Sequence, residues 1–338
     1  MKRKLFGSLT IVALVVATTV TVCAQQRKSR RSPAQTAATD IFAFVPKSDG
    51  IVVVDVRRLL NETLPSVFAG DSARLAQINS EIDKFKIQTG IDAHTFTRAV
   101  VAARYTYPTP NVTKLEPVAI ATGSFNSAAI VSSARAAAKG TSREEKYGGT
   151  TITILTMNGQ VKVFGLWNMN VRELAIAPLS ANTVAVGTPA TVRAAIAAGK
   201  TPQRESTDLV MLATRDPQAV MGFAGNVPAS VWTGLNLGTD AIAQDASSIR
   251  QAYGSVGTTT TDVSVTIVAR TETPAAAKNL GDTVTGLKQL AGFAILQMTG
   301  QKKALAESAL SNLKINVRAN ELELRTQVAA ANIASLMK

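Results

Sequence analysis

The stretch Asn182-Thr183-Val184-Ala185-Val186-Gly187-Thr188-Pro189-Ala190-Thr191-Val192-Arg193-Ala194-Ala195-Ile196, continuing to Lys200, reads as a strand, a turn and a helix. Thr183, Val184 and Val186 are β-branched and suit an extended, half-buried backbone. Thr188 followed by Pro189 puts a side-chain acceptor at the helix N-cap and a proline at the first helical position. The stretch lines up without gaps on Asn320-Glu321-Leu322-Glu323-Leu324-Arg325-Thr326-Gln327-Val328, continuing to Lys338. Asn182 meets Asn320, Thr188 meets Thr326, and Lys200 meets Lys338. A unit met at mid-chain and again at the end suggests internal duplication.

Working outward, Ile51 to Arg57 pairs with Leu209 to Arg215 as a strand leading into a helix. Val118 to Phe125 with its following helix pairs with Val263 to Arg270 and its helix. The cap-then-proline device recurs at Asp216-Pro217 and Thr273-Pro274. The spacing between partners shortens along the chain, as expected of a second copy with shorter connections. Strand, cap and helix recur in any α/β chain, so the duplication is a hypothesis that a structure decides. The expected fold class is α+β, with two similar halves, each a mainly antiparallel sheet with helices packed on it. Residues 41–200 and 205–338 form the halves, parted near Gly199 to Ser206, where Gly, Lys, Thr, Pro, Gln and Arg cluster.

Other elements follow from periodicity. Gly50 to Val56 is a buried strand and Arg57 to Phe68 a short helix. Leu75, Ile78, Ile82 and Phe85 form one helical stripe that Gly90 ends. Strands are expected at Ala99 to Tyr105, Pro117 to Phe125, Thr150 to Thr156, Val161 to Trp167 and Leu174 to Ala177. Ser124 or Asn126 caps an alanine-rich helix between them. The longest amphipathic segment is Pro274 to Phe293, with Leu280, Val284, Leu287 and Leu290 on one face. That face is expected to pack on Val263, Val265 and Ile267. Ala291 to Met298 continues apolar, and any exposed part of it is the best candidate for an interface.

The N-terminus reads as an export signal. Lys2, Arg3 and Lys4 precede an uncharged run from Leu5 to Val22, and Val22-Cys23-Ala24 suits cleavage after Ala24. Residues 1–24 are thus a signal peptide and 25–40 a basic flexible linker, placing the body in the periplasm or outside the cell. Two alternatives stand beside this. Cys23 would be lipidated only if Val22 were accepted where a small residue is usual. The apolar run would anchor the chain if it stayed uncleaved, and the cations behind it weaken the charge asymmetry that fixes orientation. Cys23 is the single cysteine, so a cleaved chain has no disulfide.

Composition is globular, 46% apolar and 17% charged, with only 5% aromatic. The formal charge of +13 falls to about +10 once Lys2, Arg3 and Lys4 leave. Arg27, Lys28, Arg30 and Arg31 then make a possible contact for an anionic envelope polymer. Another envelope protein is the other class of partner. Specific nucleic-acid binding is not expected without a basic stripe interleaved with aromatics, nor a membrane span after signal cleavage.

No catalytic, cofactor or metal residue is assigned. His94 is the single histidine, in the loop Gly90-Ile91-Asp92-Ala93-His94, and reads as a surface or capping residue. One histidine and no mature cysteine make zinc or copper improbable. Ser311-Asn312-Leu313-Lys314 has the Ser-x-x-Lys spacing but enters a strand, where that spacing does not stack the side chains. Asp49 with Asp55, or Glu144 with Glu145, are the available carboxylate pairs for a hydrolase, the alternative reading, and Glu144-Glu145-Lys146 is expected to be a solvated loop. Gly148-Gly149 and Gly222 to Gly225 lack the lysine of a phosphate loop.

The export signal, Phe44-Val45-Pro46 ahead of a valine-rich strand ending in Asp55, and the closing strand and helix at Leu322 to Leu336 together resemble exported bacterial envelope proteins of unknown function with a duplicated α+β domain. The resemblance implies location and architecture, and no activity. The expected function is a non-catalytic role in binding or assembly in the cell envelope.

Overall fold

A computed structural model of the chain describes residues 40–109, 112–138, 141–156, 160–163, 167–170, 172–201, 206–228, 231, 240–259 and 261–336. The fold is α+β. Contacts divide the described residues into two units: one takes residues 40–61 with Ser72–Val210, the other Glu62–Asp71 and Met211 onward.

The first unit holds β1 (Gly50–Asp55), β2 (Phe96–Thr109), β3 (Val112–Gly123), β4 (Ser142–Tyr147), β5 (Thr150–Thr156), β8 (Glu173–Ser180) and β9 (Thr183–Gly187). Their order is β1-β2-β3-β9-β8-β5-β4, with every pairing antiparallel. A separate hairpin joins β6 (Gln160–Val163) to β7 (Trp167–Asn170). Helices α1 (Ser72–Thr89), α2 (Ser127–Ala137) and α3 (Pro189–Ala198) belong to this unit. The Asn126 side chain accepts from the Ala128 and Ala129 amides to start α2, and Thr188 accepts from the Thr191 amide to start α3. Gly90, at φ +71°, ends α1 in the left-handed region. Phe85 of α1 and Ile130 of α2 meet Ile176 and Val184 of the sheet in one buried cluster.

The second unit holds β10 (Met221–Asn226), β11 (Ile249–Thr258), β12 (Asp262–Thr271), β13 (Lys314–Arg318) and β14 (Glu321–Ala329). Helix α4 (Thr207–Ala213) spans the division at Val210 and precedes β10. The others are α5 (Asp240–Ser247), α6 (Pro274–Leu296), α7 (Gly300–Ser311) and α8 (Ala330–Leu336). Strand order is β10-β11-β12-β14-β13, again antiparallel throughout.

The two units repeat one frame. Let Gly50 correspond to Met221, Phe96 to Ile249, Gly123 to Thr271 and Asn182 to Asn320. The pairing Gly50↔Ala103 then becomes Met221↔Val256, Val100↔Ile120 becomes Tyr253↔Val268, and Ala121↔Val184 becomes Ala269↔Leu322. Even the register irregularity repeats, at Phe96/Arg98 and at Ile249/Gln251. Each frame is tied at the same place: Gly123 donates its amide to the Asn182 carbonyl at 3.2 Å, and Thr271 donates to the Asn320 carbonyl at 2.9 Å. A one-residue slip would turn every core side chain outward, so shared register is a strong form of likeness. The units differ in the third connection. Between α2 and β8 lie strands β4 to β7, whereas between α6 and β13 lies the single helix α7.

Several expectations need correction. Leu209 to Arg215 is not a strand: α4 occupies Thr207–Ala213, and Leu209 and Ala213, four residues apart, are its buried face. The counterpart of β1 is β10, which sequence reading passed over because Gly222 and Gly225 interrupt it. Val118 to Phe125 does pair with the β12 region, but three residues further along than the alignment placed it. Asp216-Pro217 opens no helix; Asp216 accepts from the Gln218 amide in a turn before β10. Glu144-Glu145-Lys146 lies in strand β4, not in a loop; of Val161 to Trp167, the described residues belong to β6 and β7, and 164–166 lie outside the described residues.

Candidate functional site

Helix α6 changes character halfway along. Thr273 caps it by accepting from the Ala276 amide, and Pro274 begins it. Its first half is anchored: Ala277, Leu280 and Gly281 are buried, and a Cβ on Gly281 would sit 2.5 Å from the Val317 side chain. Lys288 reaches the Leu313 carbonyl at 2.6 Å. Beyond Gly286 the helix is apolar nearly all round, a pattern that normally requires cover on every side. Ile295 is buried, but Leu287 is 40% exposed, Leu290 63%, Phe293 70% and Leu296 67%. Three-residue spacing lines these four side chains into a ridge that winds slowly around the helix.

The expected packing of this face on Val263, Val265 and Ile267 is therefore only partly realised. Leu280 is buried, whereas Leu287, Leu290 and Ile267 all stand in solvent. An open cleft of about 630 Å³ runs between α6 and α7, lined by Lys288, Gly292, Ile295, Leu296, Glu307 and Leu310 among others. The ridge and this mostly apolar cleft form a surface suited to another apolar surface.

The residues singled out for chemistry have structural positions. Arg27, Lys28, Arg30 and Arg31 lie outside the described residues. The His94 amide donates to Asp92, and its exposed ring stands 3.3 Å from Asn61 Oδ1. Asp92 is held below the usual carboxylate range, first by its hydrogen bond from Lys86 and then by the His94 amide. Asp55 caps the helical turn at Val56–Arg58, and Asp49 accepts from the Tyr105 amide at 2.8 Å. Glu144 pairs with Arg135, and Glu145 takes a two-pronged contact from Arg193 at 2.6 and 2.7 Å. Ser311 ends α7 while Lys314 begins β13, so the Ser-x-x-Lys spacing crosses an element boundary. Lys200 donates to the Gly148 carbonyl at the β4–β5 turn. Among the described residues, no three His, Cys, Asp or Glu side chains are grouped to hold a metal ion.

Sequence reasoning missed one polar cluster. Tyr253 of β11 is 2% exposed, with the guanidinium groups of Arg215 and Arg270 at 5.3 and 5.5 Å from its ring centre. Arg215 donates to the tyrosine hydroxyl, and Arg270 pairs with Glu321 at 2.7 Å. Burial opposes ionisation of Glu321, but hydrogen bonds from Arg270 and Tyr253 and the charges of Arg270 and Arg215 outweigh it and lower its pKa. A lowered folded pKa contributes stability that is complete above the unfolded value and is lost as pH falls through the folded one. Urea unfolding is therefore expected to show stability falling as pH drops through and below the usual glutamate range, and Glu321→Gln should flatten that slope. An equal slope in the variant would show that other carboxyls carry it.

No protein-family model matches the sequence, and no curated protein matches it. Among the described residues, no helix is long and apolar enough to cross a membrane. Three crystal forms of TP0453 superpose over most of the chain. Form I gives a TM-score of 0.45 at 10% identity, covering 90% of this chain and 98% of that one. Form IV gives 0.47 at 12%, covering 89% and 97%, and form III gives 0.46 at 11%, covering 90% and 99%. A superposition this loose carries nothing about what the chain does.

Proposed function

We propose that this chain is an exported, non-catalytic protein of the cell envelope that acts by binding another envelope protein through the uncovered half of α6. One observation carries the reading: Leu287, Leu290, Phe293 and Leu296 form a continuous exposed ridge on an otherwise anchored helix. Leaving such side chains in water costs about 1.5–3 kcal/mol each relative to full burial, so a partner that covers them gains substantially. The sequence at residues 1–24 supports export, and Arg27, Lys28, Arg30 and Arg31 would add an electrostatic contact to anionic polymer.

The test uses the full chain in its own cells. Intact mass should show loss of the first 24 residues, and the protein should stay with the envelope fraction through high-salt washing. Leu290→Ser combined with Phe293→Ser should release it to the soluble fraction, with circular dichroism unchanged because neither side chain is buried. Retention of the double variant would remove the ridge from the account, and an unprocessed cytosolic chain would remove the export.

A further inference from the structure

We infer that the free edge of β13 is a docking site for an extended, acidic-flanked peptide segment of a partner protein, added as an antiparallel strand. The juxtaposition behind this is the repeat itself. In the first unit β8 is the strand after the third connection, and its outer edge is filled by β5, through Thr153↔Ile176, Ile154↔Ala175 and Leu155↔Leu174. That added strand is well used, because Ile152, Ile154 and Leu155 are buried. In the second unit β13 holds the place of β8, and both strands turn into their neighbours through Ala-Asn, at Ala181-Asn182 and Ala319-Asn320. Here α7 replaces the extra strands, and among the described residues nothing pairs with β13 on the side away from β14.

Register says which groups are on offer. The two-residue loop Ala319-Asn320 makes Arg318↔Glu321 the doubly bonded pair that closes the hairpin. Bonded and non-bonded pairs alternate, so Asn316 and Lys314 also bond to β14, whereas the N–H and C=O groups of Ile315 and Val317 point outward. All of β13 except Ile315 is exposed, Val317 by 43%.

Charge selects the occupant. Lys314, Asn316 and Arg318 share one face, and Ile315 and Val317 the other, the face on which α6 lies. A fitting strand carries acids opposite Lys314 and Arg318 and apolar residues beside Ile315 and Val317. The strand already paired with β13 begins this way, as Glu321-Leu322-Glu323-Leu324. Pairing of β13 with β13 of a second copy, centred on Asn316, would set Lys314 against Arg318 twice, and like charges directly opposite are destabilising. The edge thus discriminates against its own copy and in favour of an acidic segment, a use of exposed edge cations beyond simple protection.

The test is titration of the full chain with the peptide Thr-Glu-Ile-Thr-Ile-Glu-Thr, followed by amide exchange. Saturable binding is expected, with the Ile315 and Val317 amides slowing on addition of peptide. The lysine counterpart, Thr-Lys-Ile-Thr-Ile-Lys-Thr, should bind about tenfold more weakly, since two opposite-charge pairs become like-charge pairs. Val317→Pro removes one outward N–H without touching the ladder to β14, and should abolish binding. Val317→Thr, which keeps the N–H and the β-branch, should retain it and guards against misfolding of the proline variant. No saturable binding, unchanged exchange at Ile315 and Val317, or equal affinity for the two peptides would overturn the proposal. So would self-association of the chain through β13 without peptide.

Discussion

Tyr253→Ala is expected to destabilise the second unit by about 3–5 kcal/mol, the range for removing a large buried aromatic. Its ring is among the largest fully buried side chains, and two guanidinium groups rest on it. Alanine would take the ring from beneath both cations and remove the hydroxyl to which Arg215 donates. Tyr253→Phe separates the contributions: it keeps the ring and loses only the hydroxyl, for an expected cost of about 1 kcal/mol. Urea unfolding combined with amide exchange should show the loss in residues 249–329 and little change at β2 or β3. Equal losses for the two variants would mean that the hydroxyl network, not the ring, holds the strand.

Gly222→Ala should be nearly as damaging, at about 3 kcal/mol, for a different reason. A Cβ on Gly222 would lie 1.8 Å from the Ala213 carbonyl oxygen and 2.9 Å from its carbon. Both are backbone atoms at the end of α4, so no rotamer change relieves the clash. The control is Gly286→Ala in α6, where nothing lies within 4 Å of the new methyl. Alanine there is expected to stabilise by about 0.5–1 kcal/mol, as for glycine in any exposed helix interior. Thermal melting of the two variants should move in opposite directions. A harmless Gly222→Ala would show that α4 does not press on β10.

Much of the architecture is legible in the sequence because it rests on local chemistry. Asn126, Thr188 and Thr273 each cap the helix expected of them, and the alignment of Asn182 with Asn320 matches the same tie in each frame. Legibility failed where local signals compete with tertiary ones. Leu209-Val210-Met211-Leu212 is apolar enough for a strand or a helix, and only the buried pair Leu209 and Ala213 decides for the helix. Strand β10 is hidden by its glycines, one of which is required by the approach of α4. The charged sequence of β4 reads as a loop because an edge strand need bury little. Helix α7 carries no clear apolar stripe, and none of its residues is fully buried.

The ridge was partly legible. The apolar continuation from Ala291 to Met298 marks it, but periodicity alone gave Leu287 and Leu290 to the sheet. What periodicity cannot show is where the sheet ends. Lys288 already reaches the residue just before β13, so the helix beyond it has little sheet to cover it. The cluster around Tyr253 gave no sequence signal at all, because Arg215, Tyr253, Arg270 and Glu321 are brought together only by strand register.

The most direct measurement is photo-crosslinking in the native cell from a photoreactive residue placed at Phe293, compared with one at Lys278. Both positions are exposed on α6, but Lys278 lies on its anchored half, paired with Asp282, and Phe293 on the ridge. A binding role for the ridge predicts a discrete protein adduct from position 293 and none from position 278. Equal labelling at the two positions, or no adduct from position 293 in envelope-associated protein, would contradict it.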